Sequence, residues 1–256
     1  MRKVEKEGII QLIKGIVTDS KTKIKTEYRE PIVGFADAKD KRFEQLKEIV
    51  ALEHKLPTDI LPAAETVISF FIPFAREVVK SNRQQANYTV QQWAVAYQET
   101  NQLIDQICRE LSSFLAEEGI KSAWELPTYN FDQERLISFW SQRSAAKISG
   151  LGEFGLNRML ITEQGSAGRY GSIVIDKALT PSSDFKGQPC LYYQDGSCQV
   201  CIKNCPIGAL TEEGFDRQLC YQRCLENAQL MNDKGLEGLF DVCGKCQVGP
   251  CAVVND

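Results

Sequence analysis

Only one of the 256 residues is histidine, and 30 Lys and Arg set against 34 Asp and Glu leave a formal charge of -4. The single His54, in Glu53-His54-Lys55-Leu56-Pro57, has no partner histidine for a metal and reads as solvent-facing or capping near a helix end. Without a basic excess to hold a phosphate backbone, nucleic acid is not indicated as a partner. Long apolar runs are also missing. The longest, Val67 to Phe74, is interrupted by Ser69 and Pro73 and falls well short of the ~20 residues a spanning helix needs. The charged stretch from Met1 to Glu7 leads only into Ile9 and Ile10, so no secretory apolar region is read there and no membrane is expected. The expected location is the cytoplasm. With 43% hydrophobic residues the chain can bury a core, as one large domain with an appended module or as two small domains.

What the chain has in abundance is cysteine, and nine of its ten fall between Cys190 and Cys251. The first group runs Cys190-x7-Cys198-x2-Cys201-x3-Cys205-Pro206, and the second Cys220-x3-Cys224-x18-Cys243-x2-Cys246-x4-Cys251. A C-x2-C-x3-C-P run is iron–sulfur spacing: closely spaced thiolates wrap one cube and the cysteine before proline crosses to the other. Soft sulfur ligands suit such clusters. A disulfide scaffold would call for export and usually a short chain. Zinc is the stronger competitor, because Cys243-x2-Cys246 alone would suit a tetrahedral site, but nine cysteines exceed what one ion takes. Two [4Fe-4S] clusters are the expectation, and oxygen-labile clusters suit an anaerobic cell.

The rest of the chain reads as alternating helix and strand. Val4 to Val17 has helical periodicity, Pro31 to Ala36 is a short strand or entry segment, and Phe43 to Leu52 is a helix stopped by Pro57. Thr66 to Ile72, β-branched and aromatic, predicts a strand buried on both faces. Asn87 to Glu118 predicts a long helix whose Trp93 and Tyr97 are core and whose Cys108 is a small buried hydrophobe. A helix is predicted from Glu134 to Ile148. The following Gly150-Leu151-Gly152-x-x-Gly155 matches a dinucleotide fingerprint in letters only, because a helix precedes it and a strand, Met159 to Thr162, follows it. Gly165, Gly168 and Gly171 come before a second strand, Ser172 to Asp176. Such glycines admit a tight turn or the close approach of a bulky ligand to the backbone. Thr180 to Asp184 is turn-forming and divides an α/β core, residues 1–180, from a cysteine module, residues 181–256.

These motifs together, from Gly150 through Asp176 and on to Cys198-x-x-Cys201-x-x-x-Cys205-Pro206, resemble the epoxyqueuosine reductase family. The likeness is greatest to shorter, clostridial-type iron–sulfur proteins grouped with it, and the wider kin are the corrinoid reductive dehalogenases. It covers about residues 139 to 251 best. The resemblance implies an α+β protein: an α/β cobalamin-binding core related in layout to flavin nitroreductases, followed by a ferredoxin-like two-cluster module. It implies ligands at Cys190, Cys198, Cys201 and Cys251 for one [4Fe-4S] cluster and at Cys205, Cys220, Cys243 and Cys246 for the other, leaving Cys224 over. The family's first ligand lies two residues before the second motif cysteine, where this chain has Asp195. A corrinoid is expected against Gly150, Gly152, Gly155, Asn157, Gly165, Gly171 and Ser172. The family's proton-donating acid, counted back fourteen positions from Gly150, falls on Leu136, so epoxyqueuosine itself is not the expected substrate. Tyr129 and Asp132 are the candidate donors, since reductive opening needs a positioned acid.

Two functions follow from different classes. One is a cobalamin-dependent oxidoreductase acting on a small or nucleoside-like substrate, fed by an electron donor such as a ferredoxin or flavodoxin. The other is a non-catalytic electron carrier or reductive activator that docks on a partner protein.

Overall fold

The computed structural model describes residues 4–20, 24–126 and 131–254. Helix α1 (Lys6–Ser20) is followed by β1 (Ile32–Asp37), α2 (Lys41–Ile49), α3 (Pro57–Ile60), β2 (Thr66–Pro73), α4 (Arg76–Gln84) and the long α5 (Gln91–Ala116). Then come β3 (Ser122–Ala123), the hairpin of β4 (Phe131–Asp132) and β5 (Ile137–Ser138), α6 (Gln142–Ile148), the hairpin of β6 (Gly152–Phe154) and β7 (Leu160–Thr162), and β8 (Gly168–Ile175). The cysteine-rich part carries α7 (Leu191–Asp195), α8 (Val200–Lys203), α9 (Arg217–Asp233) and two 3-10 turns, Lys245–Gln247 and Pro250–Ala252.

The main sheet has the order β1-β2-β8-β3 with every neighbouring pair antiparallel. Every residue of β2 is buried. Because side chains alternate across a strand, Ile68, Phe70 and Ile72 enter the larger core with α1 and α5, while Val67 joins a second core with Phe43, Trp140 and Ala145. Removing each such side chain from water contributes about 1.5–3 kcal/mol. Trp93, Ile104, Ile107, Leu111 and Leu115, spaced along one face of α5, complete the first core. Gly171 lets that helix settle on the sheet: a Cβ there would lie 2.7 Å from Ile104 Cγ2 and against the Phe70 ring.

Three local expectations are corrected. The helix predicted from Glu134 to Ile148 is only Gln142–Ile148, because the Asp132 carboxylate accepts the amides of Glu134 and Arg135 and Leu136 takes φ +54°, closing a hairpin instead. Gly168 and Gly171 lie inside β8 rather than before it. His54 is buried, at 1% exposure, and its Nε2 accepts the Ser141 amide at 3.0 Å while Nδ1 meets the Lys55 carbonyl at 2.8 Å. Trp93, Tyr97 and Cys108 are buried as read.

The cysteine-rich part is fastened to the sheet layer by polar contacts. Backbone amides of Ser166 and Ala167 donate to the carbonyls of Cys251 and Ala252, and Arg83 Nε donates to the Val248 carbonyl at 2.7 Å. The buried Lys245 ammonium donates to Asn82 O, Asn82 Oδ1 and Gln85 O at 2.7, 2.9 and 2.7 Å.

Candidate metal centre and adjoining groove

Four of the nine clustered cysteines line one cavity, and Cys205, Cys220, Cys224, Cys243 and Cys246 form a neighbouring set whose charges act on one another. Cys190 at the start of α7, Cys198, Cys201 on α8 and Cys251 in the last turn line one cavity of about 200 Å³, together with Leu156, Asn157 and Pro250. Burial pushes the Cys201 thiol up to about 11, and the charges of Cys251, Cys190 and Cys198 push it the same way. Cys251 is raised by burial and by Cys190 and Cys198, against a hydrogen bond with Ser166. In the second group Cys243 is raised by burial and by the charges of Cys220 and Cys205, and Cys246 by burial and by Cys243, Cys220, Cys201 and Cys205. Thiols that oppose one another's ionisation in a buried setting become thiolates together only when a cation compensates, which is the chemistry of a metal-ligating set. Among the described residues no three His, Cys, Asp or Glu side chains converge on a point where one ion could sit. The first four thiols instead stand around the walls of their cavity.

The ninth cysteine, Cys224, sits one helical turn after Cys220 on α9 and shares a hydrogen bond with it. That bond holds Cys220 below the usual thiol range and Cys224 far above it. Asn157, expected against a corrinoid, lies against the thiols: it is buried, and its Nδ2 donates to the Cys246 carbonyl at 3.1 Å and approaches Cys251 Sγ at 3.9 Å. Ser166 Oγ lies 3.9 Å from the same sulfur. Spacing alone could not find these contacts, because Asn157 reaches the cysteines through the β6–β7 turn.

Beside the thiols, two adjoining cavities of about 330 and 430 Å³ share Ser138, Ser141 and Arg143 and form a groove along α6. The first is walled by Phe131, Trp140, Gln142, Met159, Arg169, Tyr170 and Gln247; the second by Leu136, Phe154, Gly155, Arg158, Tyr193 and Arg217. Arg143 is fixed by donating Nη1 to the Arg158 carbonyl at 3.0 Å, and burial lowers its pKa, as do Arg169 and Arg217, while Cys246 raises it. Arg169 lies 4.3 Å over the Tyr97 ring and donates to Asn101 Oδ1 at 3.1 Å. The groove is open at the exposed Arg158 and Arg217, and its lining includes Gln247, the residue after Cys246.

Most glycines expected to line a corrinoid do another job. A Cβ at Gly150 would strike the Ser183 carbonyl, at Gly152 that of Ile161, at Gly165 that of Ala252, and at Gly171 the Phe70 ring. Gly155 alone of that set borders the groove. Ser172 is buried beneath it, accepting from Trp140 Nε1 at 2.9 Å and donating to Gln142 Oε1 at 2.7 Å. Asp132 does not line the groove, and its carboxyl is held below the usual range by the Arg135 amide and guanidinium, so it is a poor proton donor. Tyr129 lies outside the described residues. Tyr170 does face the groove, but its hydroxyl donates to the Leu160 carbonyl at 2.7 Å and burial raises its pKa.

No family model matches the chain. Over 116 residues it is 31% identical to an epoxyqueuosine reductase from Listeria monocytogenes, a stretch that makes up 42% of this chain and 28% of that protein. An epoxyqueuosine reductase from Bacillus subtilis, solved with a catalytic aspartate loop swung out of its active site, superposes with a TM-score of 0.54 at 17% identity over 95% of this chain and 66% of that one. The chain has the epoxyqueuosine reductase fold. A reductive dehalogenase, whose structure suggests a mechanism for B12-dependent dehalogenation, superposes at 0.50 with 13% identity over 70% of this chain and 23% of that one. The chain thus spans less than a third of the curated relative and just under two thirds of the solved epoxyqueuosine reductase. Among the described residues no helix is long and apolar enough to cross a membrane.

Proposed function

We propose that the chain is an iron–sulfur reductase that delivers electrons through its cysteine-rich part to a cofactor and substrate in the groove along α6. The observation that carries this reading is a single cavity lined by four thiols, those of Cys190, Cys198, Cys201 and Cys251. Cys190, Cys198, Cys201 and Cys251 would hold one [4Fe-4S] cluster, and Cys205, Cys220, Cys243 and Cys246 the other, in a ferredoxin-like module. Such clusters supply single electrons. Cys205 and Cys246 pack against the hydrophobic cluster that holds Cys190 and Cys201, which supports a route between the two groups. An electron donor of the ferredoxin or flavodoxin type would supply the first group, whose cavity reaches the surface at Leu191 and Pro250.

Gln142, Arg143, Gly155 and Tyr170 would hold a corrinoid in the groove; bound there, that cofactor supplies a strongly reducing, nucleophilic metal. The hydrogen-bonded Ser172, Gln142 and Trp140 set underlies the groove. Leu136, at the position the resemblance assigns to the family's acid, borders the groove, and among the described lining residues there is no Asp or Glu. The substrate is therefore read as something other than epoxyqueuosine.

The test is anaerobic expression with added corrinoid, followed by absorption spectroscopy, iron and sulfide analysis, and turnover. The expected result is broad iron–sulfur absorption together with corrinoid bands, and no conversion of epoxyqueuosine-containing tRNA. Clusters without any corrinoid binding would favour the electron-carrier reading instead, and formation of queuosine would refute the substrate argument.

A further inference from the structure

The groove is cationic in a chain whose formal charge is -4. Arg143 borders both cavities, Arg169 the first, and Arg158 and Arg217 the second. Neither cavity has a carboxylate among its described lining residues, and no ion pair joins these four arginines to a described carboxylate, although Arg169 acts on Asp241 beyond ion-pair distance. Elsewhere Arg42 pairs with Asp40 and Asp184, Arg109 with Asp105 and Arg135 with Asp132 and Glu53, while Arg29 and Arg83 bond carbonyl and amide oxygens of the protein. Holding several like charges around one concavity is unfavourable, and the arrangement is relieved by an anion between them. Planar guanidinium groups suit phosphate and carboxylate, which they bind through paired donors.

We propose that the groove along α6 binds an anionic group, a phosphate or carboxylate, between Arg143 and the flanking Arg158, Arg169 and Arg217. The anion comes either from the substrate, making the substrate class an anionic small molecule, or from the phosphate of a corrinoid's nucleotide. Its use in turnover rests on the reductase reading above; the binding itself does not.

The experiment is calorimetric titration of the full, cluster-reconstituted chain with inorganic phosphate, cobalamin and cobinamide, the last lacking the nucleotide phosphate. Phosphate is expected to bind wild type and Arg42→Gln alike, and Arg143→Met, Arg158→Gln and Arg217→Gln each about tenfold or more weakly, the scale of one charge-assisted hydrogen bond. Arg158 and Arg217 are exposed, so their variants fold whatever happens to Arg143→Met. If cobalamin weakens with phosphate while cobinamide is unchanged, the anion is the corrinoid's; if both corrinoids are unchanged, it is the substrate's. Phosphate that fails to bind, or binds all variants like wild type, overturns the inference. A wild-type chain that binds no phosphate yet still takes up and reduces corrinoid would sink this inference alone, leaving the reductase reading intact.

Discussion

Asn157 joins the two thiol groups: its Nδ2 donates to the carbonyl of Cys246 at 3.1 Å and stands 3.9 Å from the sulfur of Cys251. The residue is 4% exposed. Asn157→Ala leaves the Cys246 carbonyl unpaired and is expected to cost about 1–3 kcal/mol. Denaturant unfolding of the anaerobically reconstituted protein checks this, and an unchanged midpoint would show that the amide is idle.

The cysteines make a sharper forecast. Cys224 shares its hydrogen bond with Cys220 but lies outside the two proposed ligand sets. Cys220→Ala is expected to lose about half of the bound iron and sulfide, and Cys224→Ala to keep nearly all of it while changing the second cluster's reduction potential. The opposite pattern would exchange the two assignments.

His54 sets a pH dependence. Burial lowers its pKa below the ordinary 6.5, and its Nε2 must stay unprotonated to accept the Ser141 amide. A histidine whose folded pKa is depressed contributes stability that is complete above 6.5 and is lost as pH falls toward the folded value, because the unfolded chain then binds the proton. The loss of Tm between pH 7.5 and 5.5 should be larger in wild type than in His54→Gln. Equal losses would mean that this imidazole does not respond to acid.

Glycine substitutions should separate packing from ligand binding. Gly152→Val puts a side chain against the Ile161 carbonyl in the β6–β7 hairpin and is expected to destabilise the fold by about 1–3 kcal/mol or more, with or without corrinoid. Gly214→Ala, where a Cβ meets nothing within 4 Å, is the control. If Gly152→Val folds like wild type and only corrinoid binding suffers, the glycine faces a ligand after all.

Much of this architecture is legible in the chain. The unbroken β-branched and aromatic run of β2 records a strand buried on both faces, and the helical spacing of α5 records its one buried face, because burial acts residue by residue at each element's period. Cysteine spacing narrows which thiols could share a centre for a similar reason, since loop lengths limit their reach. The hairpin at 131–138 is harder to see, since one Asx-type turn and one left-handed leucine override the local helical pattern.

Only tertiary structure decides what the glycines and polar residues face. Gly150 and Gly165 have the same letters whether they open on a ligand or on a carbonyl across the fold, and here the neighbours are Ser183 and Ala252. His54, Asn157 and Lys245 find partners 87, 89 and 163 positions away. The cationic groove is likewise assembled from α6, the β6–β7 turn, β8 and the start of α9. Composition sums charge over the whole chain, whereas a ligand responds to charge within a few ångströms, and that local sum exists only once the chain has folded.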